Sequence, residues 1–291
     1  MVTTIEENLR KKVSKERNLE MRKYGRIRTY DKIATFLDGN KKIAFSLVNH
    51  ALAIIDDEVD TNANITQLDR AKQILNDSFN NRKSSIKLGW EKNIFELGAI
   101  LLKLKKENFE YTTDFFNEVI NYWDIEKQNL KRKDKILNSY DLDKLNSKIG
   151  KSVGIQFLYL LCPELDKKTI NSIAYSYGFA IKLADNVSDL NEDLNNGFIN
   201  ISKENIKKYN LDLKNLTEEK LNPYIQDELN RIKDYYKKGD EELNLVLVKY
   251  PSSRTGVLLF KEIAYSWFKQ VLEVYKKIKR LERDSNPRPH G

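Results

Sequence analysis

Glycine and proline are scarce in this chain, 11 and 5 among 291 residues, where ordinary usage would supply about 20 and about 15. Folds that turn at short intervals need those residues, so a β-sandwich, a Gly-rich linker protein and a collagen-like repeat are excluded. The turn-poor stretches carry apolar residues at spacings of three and four. After Gly39-Asn40 the run Ile43, Ala44, Leu47, Val48, Ala51, Ile55 and Val59 predicts a helix with one apolar face. The same pattern predicts helices over 90–105, 112–132, 141–161, 167–190, 220–238 and 256–283. Asn195-Asn196-Gly197 reads as a turn, followed by a short β-prone run over 198–201. With 40% hydrophobic residues the chain can bury a large core. The expectation is one all-α domain over 1–283, with 284–291 as a disordered tail.

The chemistry open to such a chain is narrowed by what it lacks. One cysteine, Cys162, excludes an internal disulfide framework and a multi-cysteine zinc site. Two histidines, His50 and His290, exclude a histidine-rich metal centre. Cys162 precedes Pro163 with no base identifiable nearby, and so reads as a small residue ending a helix rather than a nucleophile. The N-terminal stretch has no apolar core of a signal peptide, and no run of about 18 apolar residues occurs, so the expected location is cytoplasmic. The formal charge is +8. Basic residues alternate with acids along the whole chain, the pattern of solvated helix faces, and no nucleic-acid-binding signature is present. Such a surface suits an anionic substrate or an anionic membrane face. Lys276, Lys277, Lys279, Arg280 and Arg283 of the last helix suit peripheral membrane contact or a favourable helix C-terminus equally well.

Two acidic clusters lie on otherwise apolar helices. In the first, Ile54-Ile55-Asp56-Asp57-Glu58-Val59-Asp60, the carboxylates of Asp56 and Asp60 share a face one turn apart. In the second, Asp185, Asp189 and Asp193 form a row at i, i+4 and i+8. With 43 acids in 291 residues, roughly six such i,i+4 pairs arise by chance, so spacing alone is weak. Stacked carboxylates repel, and a helix C-terminus disfavours them further through its dipole. A divalent cation reverses the sign, because Mg²⁺ takes one or two carboxylates and completes its shell with water and phosphate oxygens. Two readings stand at this point: a metal site, and two helix ends turning into solvent.

In this order and spacing the residues resemble the squalene/phytoene synthase family, the head-to-head branch of the trans-prenyl transferases, over about 26–281. The family's first DxxxD element is matched by Asp56 and Asp60, and its longer second element by Asp185, Asp189 and Asp193. Gly197-Phe198-Ile199-Asn200-Ile201-Ser202 stands where the family has Gly-Arg-hydrophobic-Tyr-Leu-Pro. Ile149-Gly150-Lys151-Ser152-Val153-Gly154 resembles its Val-Ala-Gly-x-Val-Gly segment, whose small residues let two helices pack closely. Arg28-Thr29-Tyr30 stands where a basic-Ser-Phe stretch touches diphosphate. The chain departs at Ala53 and Ser188, where the family has Arg, at Leu145 (Tyr), Lys182 (Gln) and Asp185 (Asn). Lys182 is a candidate replacement for a lost positive charge.

The resemblance implies a class I isoprenoid synthase-like helical bundle around a central cavity. It implies coupling of two prenyl diphosphates, farnesyl or geranylgeranyl, to a squalene- or phytoene-type C30/C40 hydrocarbon, with pyrophosphate as leaving group. Asp56, Asp60, Asp189 and Asp193 would be the catalytic acids, and these four with Asp185 the ligands of Mg²⁺ or Mn²⁺. NADPH enters only for a squalene-type product. Arg26 and Arg28 would hold diphosphate oxygens beside Tyr30. Helix geometry sets Phe45, Asn49 and Leu52 on the face of Asp56, and Tyr177, Gly178, Ile181 and Lys182 above Asp185, as cavity lining or as core. Two other functions fit the same residues: a class I terpene cyclase acting on one prenyl diphosphate, and a non-catalytic relative serving as an assembly or lipid-binding factor.

Overall fold

The computed structural model describes residues 26–57, 65–87 and 89–285. Side chains near the ends of these stretches, those of Arg26, Arg28 and Asp56 among them, lie outside the described ones, as does Asp60 altogether. Among the described residues there are eleven α-helices and no strand. They are α1 (Arg26–Ala34), α2 (Gly39–Asp57), α3 (Ile65–Phe79), α4 (Gly89–Lys106), α5 (Thr112–Leu130), α6 (Ser139–Leu161), α7 (Lys167–Ser188), α8 (Leu190–Asn195), α9 (Lys203–Lys208), α10 (Glu218–Lys249) and α11 (Arg254–Ser285). No described helix is long and apolar enough to cross a membrane.

The centre is the antiparallel pair α6–α7, the most extensive helix contact. Their starts are fixed by side-chain caps: Asn138 accepts from the Asp141 amide and Asp166 from the Thr169 amide, both at 2.8 Å. Between them the backbones touch. A Cβ on Gly150 would lie 2.0 Å from the Gly178 carbonyl oxygen, and one on Gly178 would lie 2.2 Å from that of Gly150. One turn away Gly154 meets Ala174, at 3.2 Å for the same construction. The small-residue segment expected to let two helices approach does so, and its partner stripe is Ala174 and Gly178.

Around this pair, α2 and α5 pack on α6, α10 packs on α7, and α11 packs on both. One continuous core joins them, from Tyr30 to Val271. Cys162 caps α6 and is fully buried, and burial pushes its thiol pKa well up, as suits a packed residue and not a nucleophile.

Four of the departures from expectation have a physical reason in the contacts. The amphipathic α3 is interrupted by charges in sequence, yet buries Leu68, Ala71, Ile74, Leu75 and Phe79 along one face. The expected end at 238 is overrun, and α10 continues to Lys249. Gly239 does not stop it because the Tyr177 ring fills the space of a side chain there, 3.0 Å from a Cβ. The β-prone run 198–201 is a loop with Phe198 and Ile201 buried as anchors. Finally, the acid row is not one straight helix: α7 ends at Ser188, and Asp189 bends the chain (φ −105, ψ 13) into α8.

The α6–α7 contact yields a clear expectation. Gly178→Ala forces one backbone off another and should destabilise the protein by about 2 kcal/mol or more. Gly89→Ala, where a Cβ meets nothing within 4 Å, should be near neutral. Urea unfolding of the two variants, compared through their midpoints, checks this.

Candidate functional site

The bend at Asp189 keeps the acid row connected. The Asp189 amide donates to the Asp185 carbonyl and the Asp193 amide to the Asp189 carbonyl, both at 2.9 Å, so helical spacing continues across it. The three acids nevertheless have different surroundings. Asp185 and Asp189 are half-buried, whereas Asp193 is buried. Asp185 accepts from the Lys182 ammonium at 2.8 Å. Asp193 Oδ2 accepts from Asn200 Nδ2 at 2.6 Å.

Asn200 belongs to a chain of buried polar contacts that begins on α5. Asn129 Nδ2 donates to Glu126 Oε2 at 2.9 Å, and Arg132 Nε donates to Asn129 Oδ1 at 2.7 Å. The Arg132 guanidinium then reaches the Ile199 carbonyl at 3.0 Å and Asn200 Oδ1 at 2.5 Å, and lies 5.7 Å from the centre of the Phe198 ring. The loop is brought there by backbone pairing: the Asp134 amide donates to Gly197 O (2.8 Å), Phe198 to Asp193 O (2.7 Å) and Lys203 to Leu137 O (2.9 Å). Gly197 has φ +85, and a Cβ there would meet Asp134 Oδ1 at 2.5 Å, so only glycine fits.

Burial raises the carboxyl pKa of both end members of this chain. For Glu126, fully buried, desolvation outweighs the opposing charge of Lys182, the bonds from Asn129 and Tyr122, and the charge of Arg132. For Asp193 desolvation dominates, Lys182, Asn200 and Arg132 pull down, Asp185 pushes up, and the result is about 6. Two cations, Lys182 and Arg132, therefore offset three carboxyls around the end of α7.

Tyr30, expected beside the diphosphate, and Phe45, expected as cavity lining or as core, are both buried in the core. The Phe45 ring centre lies 5.1 Å from Phe157 and 6.2 Å from Tyr30, and Trp267 Nε1 donates to Tyr30 Oη at 3.3 Å. Gly178 is spent on the α6–α7 contact. Tyr177 is buried and bonds Asp240 on α10. Leu52, Asn49, Ile181 and Lys182 are half-buried. Two polar atoms beside the acid motifs, Asn49 Nδ2 and Ser188 Oγ, are buried with no hydrogen-bond partner among the described residues. Among the described residues no three His, Cys, Asp or Glu side chains converge as a metal site; Asp56, Asp60, Arg26 and Arg28 lie outside what is described there. Glu126, Asn129 and Arg132 are not singled out in the sequence, and Asn200 is named there only as part of the segment 197–202. The signal for the first three is a polar spacing of three, at 126, 129 and 132, that runs through the end of α5 among buried aromatic and apolar residues.

No protein-family model matches the chain, and no curated protein matches it by sequence. Its fold, however, is that of solved isoprenoid synthases. The crystal structure of squalene synthase HpnC from Alicyclobacillus acidocaldarius superposes at TM-score 0.61 with 13% identity, covering 87% of this chain and 93% of that one. A dehydrosqualene synthase in complex with a ligand superposes at TM-score 0.61 with 15% identity, covering 94% and 98%. The all-α isoprenoid synthase fold expected from the sequence is thus present.

The buried carboxyl of Asp193 makes stability pH-dependent with a definite sign. Its folded pKa, about 6, lies above the ordinary 3.8, so its contribution is complete below about pH 4 and is lost as pH rises through about 6. In metal-free buffer, Asp193→Asn should gain on the natural protein by about 2–3 kcal/mol between those limits. Urea unfolding of both proteins across that range measures the difference.

Proposed function

We propose that this protein is a divalent-cation-dependent prenyl transferase of the squalene/phytoene synthase type, joining two farnesyl or geranylgeranyl diphosphates head to head with release of pyrophosphate. The observation that carries this reading is the placement of the acids within the shared fold. Over nearly the whole chain the architecture matches synthases of that class. Within it α2, which carries Asp56, and α7, which carries Asp185 and leads into Asp189, both pack on α6.

The residues fit a hard divalent cation by donor chemistry. Asp56, Asp60, Asp189 and Asp193 offer only carboxylate oxygens, the ligands that Mg²⁺ and Mn²⁺ prefer. Bound there, the metal would stabilise the diphosphate leaving group as a Lewis acid. The chain's own groups supply the rest. Among the described residues Asn49 Nδ2 and Ser188 Oγ are buried donors without hydrogen-bond partners, and an anionic ligand with several acceptor oxygens would satisfy them. Ser188 stands where an Arg is expected, so the hydroxyl is a weaker, neutral contact at that position. The half-buried Leu52 and Ile181, on the faces of the two acid motifs, would keep water from an allylic cation. The Arg132–Asn200 contact holds Asp193 in one position, so the acid needs no reorganisation when its ligand arrives.

Incubation with Mg²⁺ and farnesyl or geranylgeranyl diphosphate tests the reading. The expected result is pyrophosphate release and a hydrocarbon of twice the substrate length, abolished by chelation, with NADPH altering the product only in the squalene-type case. Asp189→Ala should lower turnover roughly 100-fold or more with the helical content unchanged. Absence of pyrophosphate with both substrates overturns the enzyme reading. A hydrocarbon of single-substrate length overturns the coupling step and leaves a cyclase.

A further inference from the structure

A cation paired with the second acid row is built into the protein. Lys182 donates to Asp185 Oδ2 at 2.8 Å, and the two side chains are only 16% and 22% exposed. The same ammonium draws down the carboxyl pKa of a buried acid on another helix, Glu126 of α5. One lysine is thus the shared counter-charge of two carboxyls from two helices. A surface i,i+3 ion pair contributes little, and ordering a lysine side chain costs up to about 2 kcal/mol of rotamer entropy. Drawing this ammonium out of water is favourable only because the acids around it need a positive charge.

We infer that Lys182 is the resident cation of the second acid row: its ammonium holds Asp185 in the place a divalent ion would otherwise take, so that Asp185 is a partner of Lys182 and not a metal ligand. The inference deepens the proposed function and rests on its reading of the row as a divalent-cation site. It revises the expectation that all five aspartates bind metal. It also gives Lys182 a different task from replacing a lost diphosphate-binding arginine, since its charge is directed to carboxylates of the protein itself.

The test is metal binding without any prenyl substrate. The full chain is stripped with EDTA and titrated with Mn²⁺ alone, with bound metal counted by electron paramagnetic resonance and unfolding followed by temperature. Lys182→Gln should lower Tm without metal, bind an additional Mn²⁺ per chain and regain Tm as it does so. Lys182→Arg should titrate as the natural protein, and the double variant with Asp185→Asn should lose the additional ion. A Lys182→Gln chain that folds only with Mn²⁺ also supports the inference. Equal Mn²⁺ titrations of the natural and Lys182→Gln proteins, including no binding in both, overturn it, as does a variant unfolded with and without Mn²⁺. Loss of inorganic pyrophosphate binding with an unchanged Mn²⁺ titration overturns it in favour of a diphosphate contact. Pyrophosphate release from prenyl diphosphates is a separate readout, so failure of the proposed activity and failure of this inference are distinguishable.

Discussion

The contact on which the rest of the structure depends has no side chains in it. At Gly150 and Gly178 the carbonyl of each helix occupies the space a Cβ of the other would need. Backbones at that distance leave little freedom in crossing position, so the relative register of α6 and α7 is set there. Asp185 lies seven residues beyond Gly178, two turns along the same stripe of α7. The stripe is minimal in size at Ala174 and Gly178 and becomes acidic at Asp185 and Asp189. Fixing the glycine contact therefore fixes where the acids lie relative to α6, and through α6 relative to α2.

Helix existence was legible in the sequence wherever an apolar face ran uninterrupted, as in α4 to α7, because burying such a face against neighbours is what stabilises a helix in a folded chain. It was less legible where tertiary contacts override local signals. Gly239 reads as a stop until the Tyr177 ring is seen to need the space. The run at 198–201 has the composition of a strand, yet no strand is present among the described residues to pair with it, and the residues that flank it, Gly197 and Lys203, pair instead with the α5–α6 connection. In the site, the acid row was readable because its members lie one turn apart on one segment. Arg132 and Asn200 were not, because they are separated by 68 positions in the chain and meet only through Gly197 and the pairing of two loops. No periodicity within a single segment encodes such a contact.

The excess of positive charge acquires a local meaning around α7. Most of the basic residues belong to solvated faces, where their contribution is small. Lys182 and Arg132 differ in being drawn inward against Glu126, Asp185 and Asp193. They also come from other segments than most of the carboxyls they offset, Arg132 from the turn after α5 and Lys182 from α7, so α5, α7, α8 and the loop after it are tied by charge as well as by packing.

Buried ionic groups are poor stabilisers, because the cost of taking them from water consumes most of their mutual attraction. A chain selected only for stability would place apolar residues at positions 126, 132, 182 and 193. What the polar arrangement achieves is directional. Arg132 bonds Asn129, Ile199 and Asn200 simultaneously, and Asn200 bonds both Arg132 and Asp193, so the carboxylate of Asp193 is held by partners that are themselves held. Glycine at 197 is what lets the loop enter that arrangement, and the bend at Asp189 is what turns α8 toward it. The end of α7 is therefore better understood as a rigid, charge-balanced mount for carboxylates than as a helix terminus that happens to be acidic.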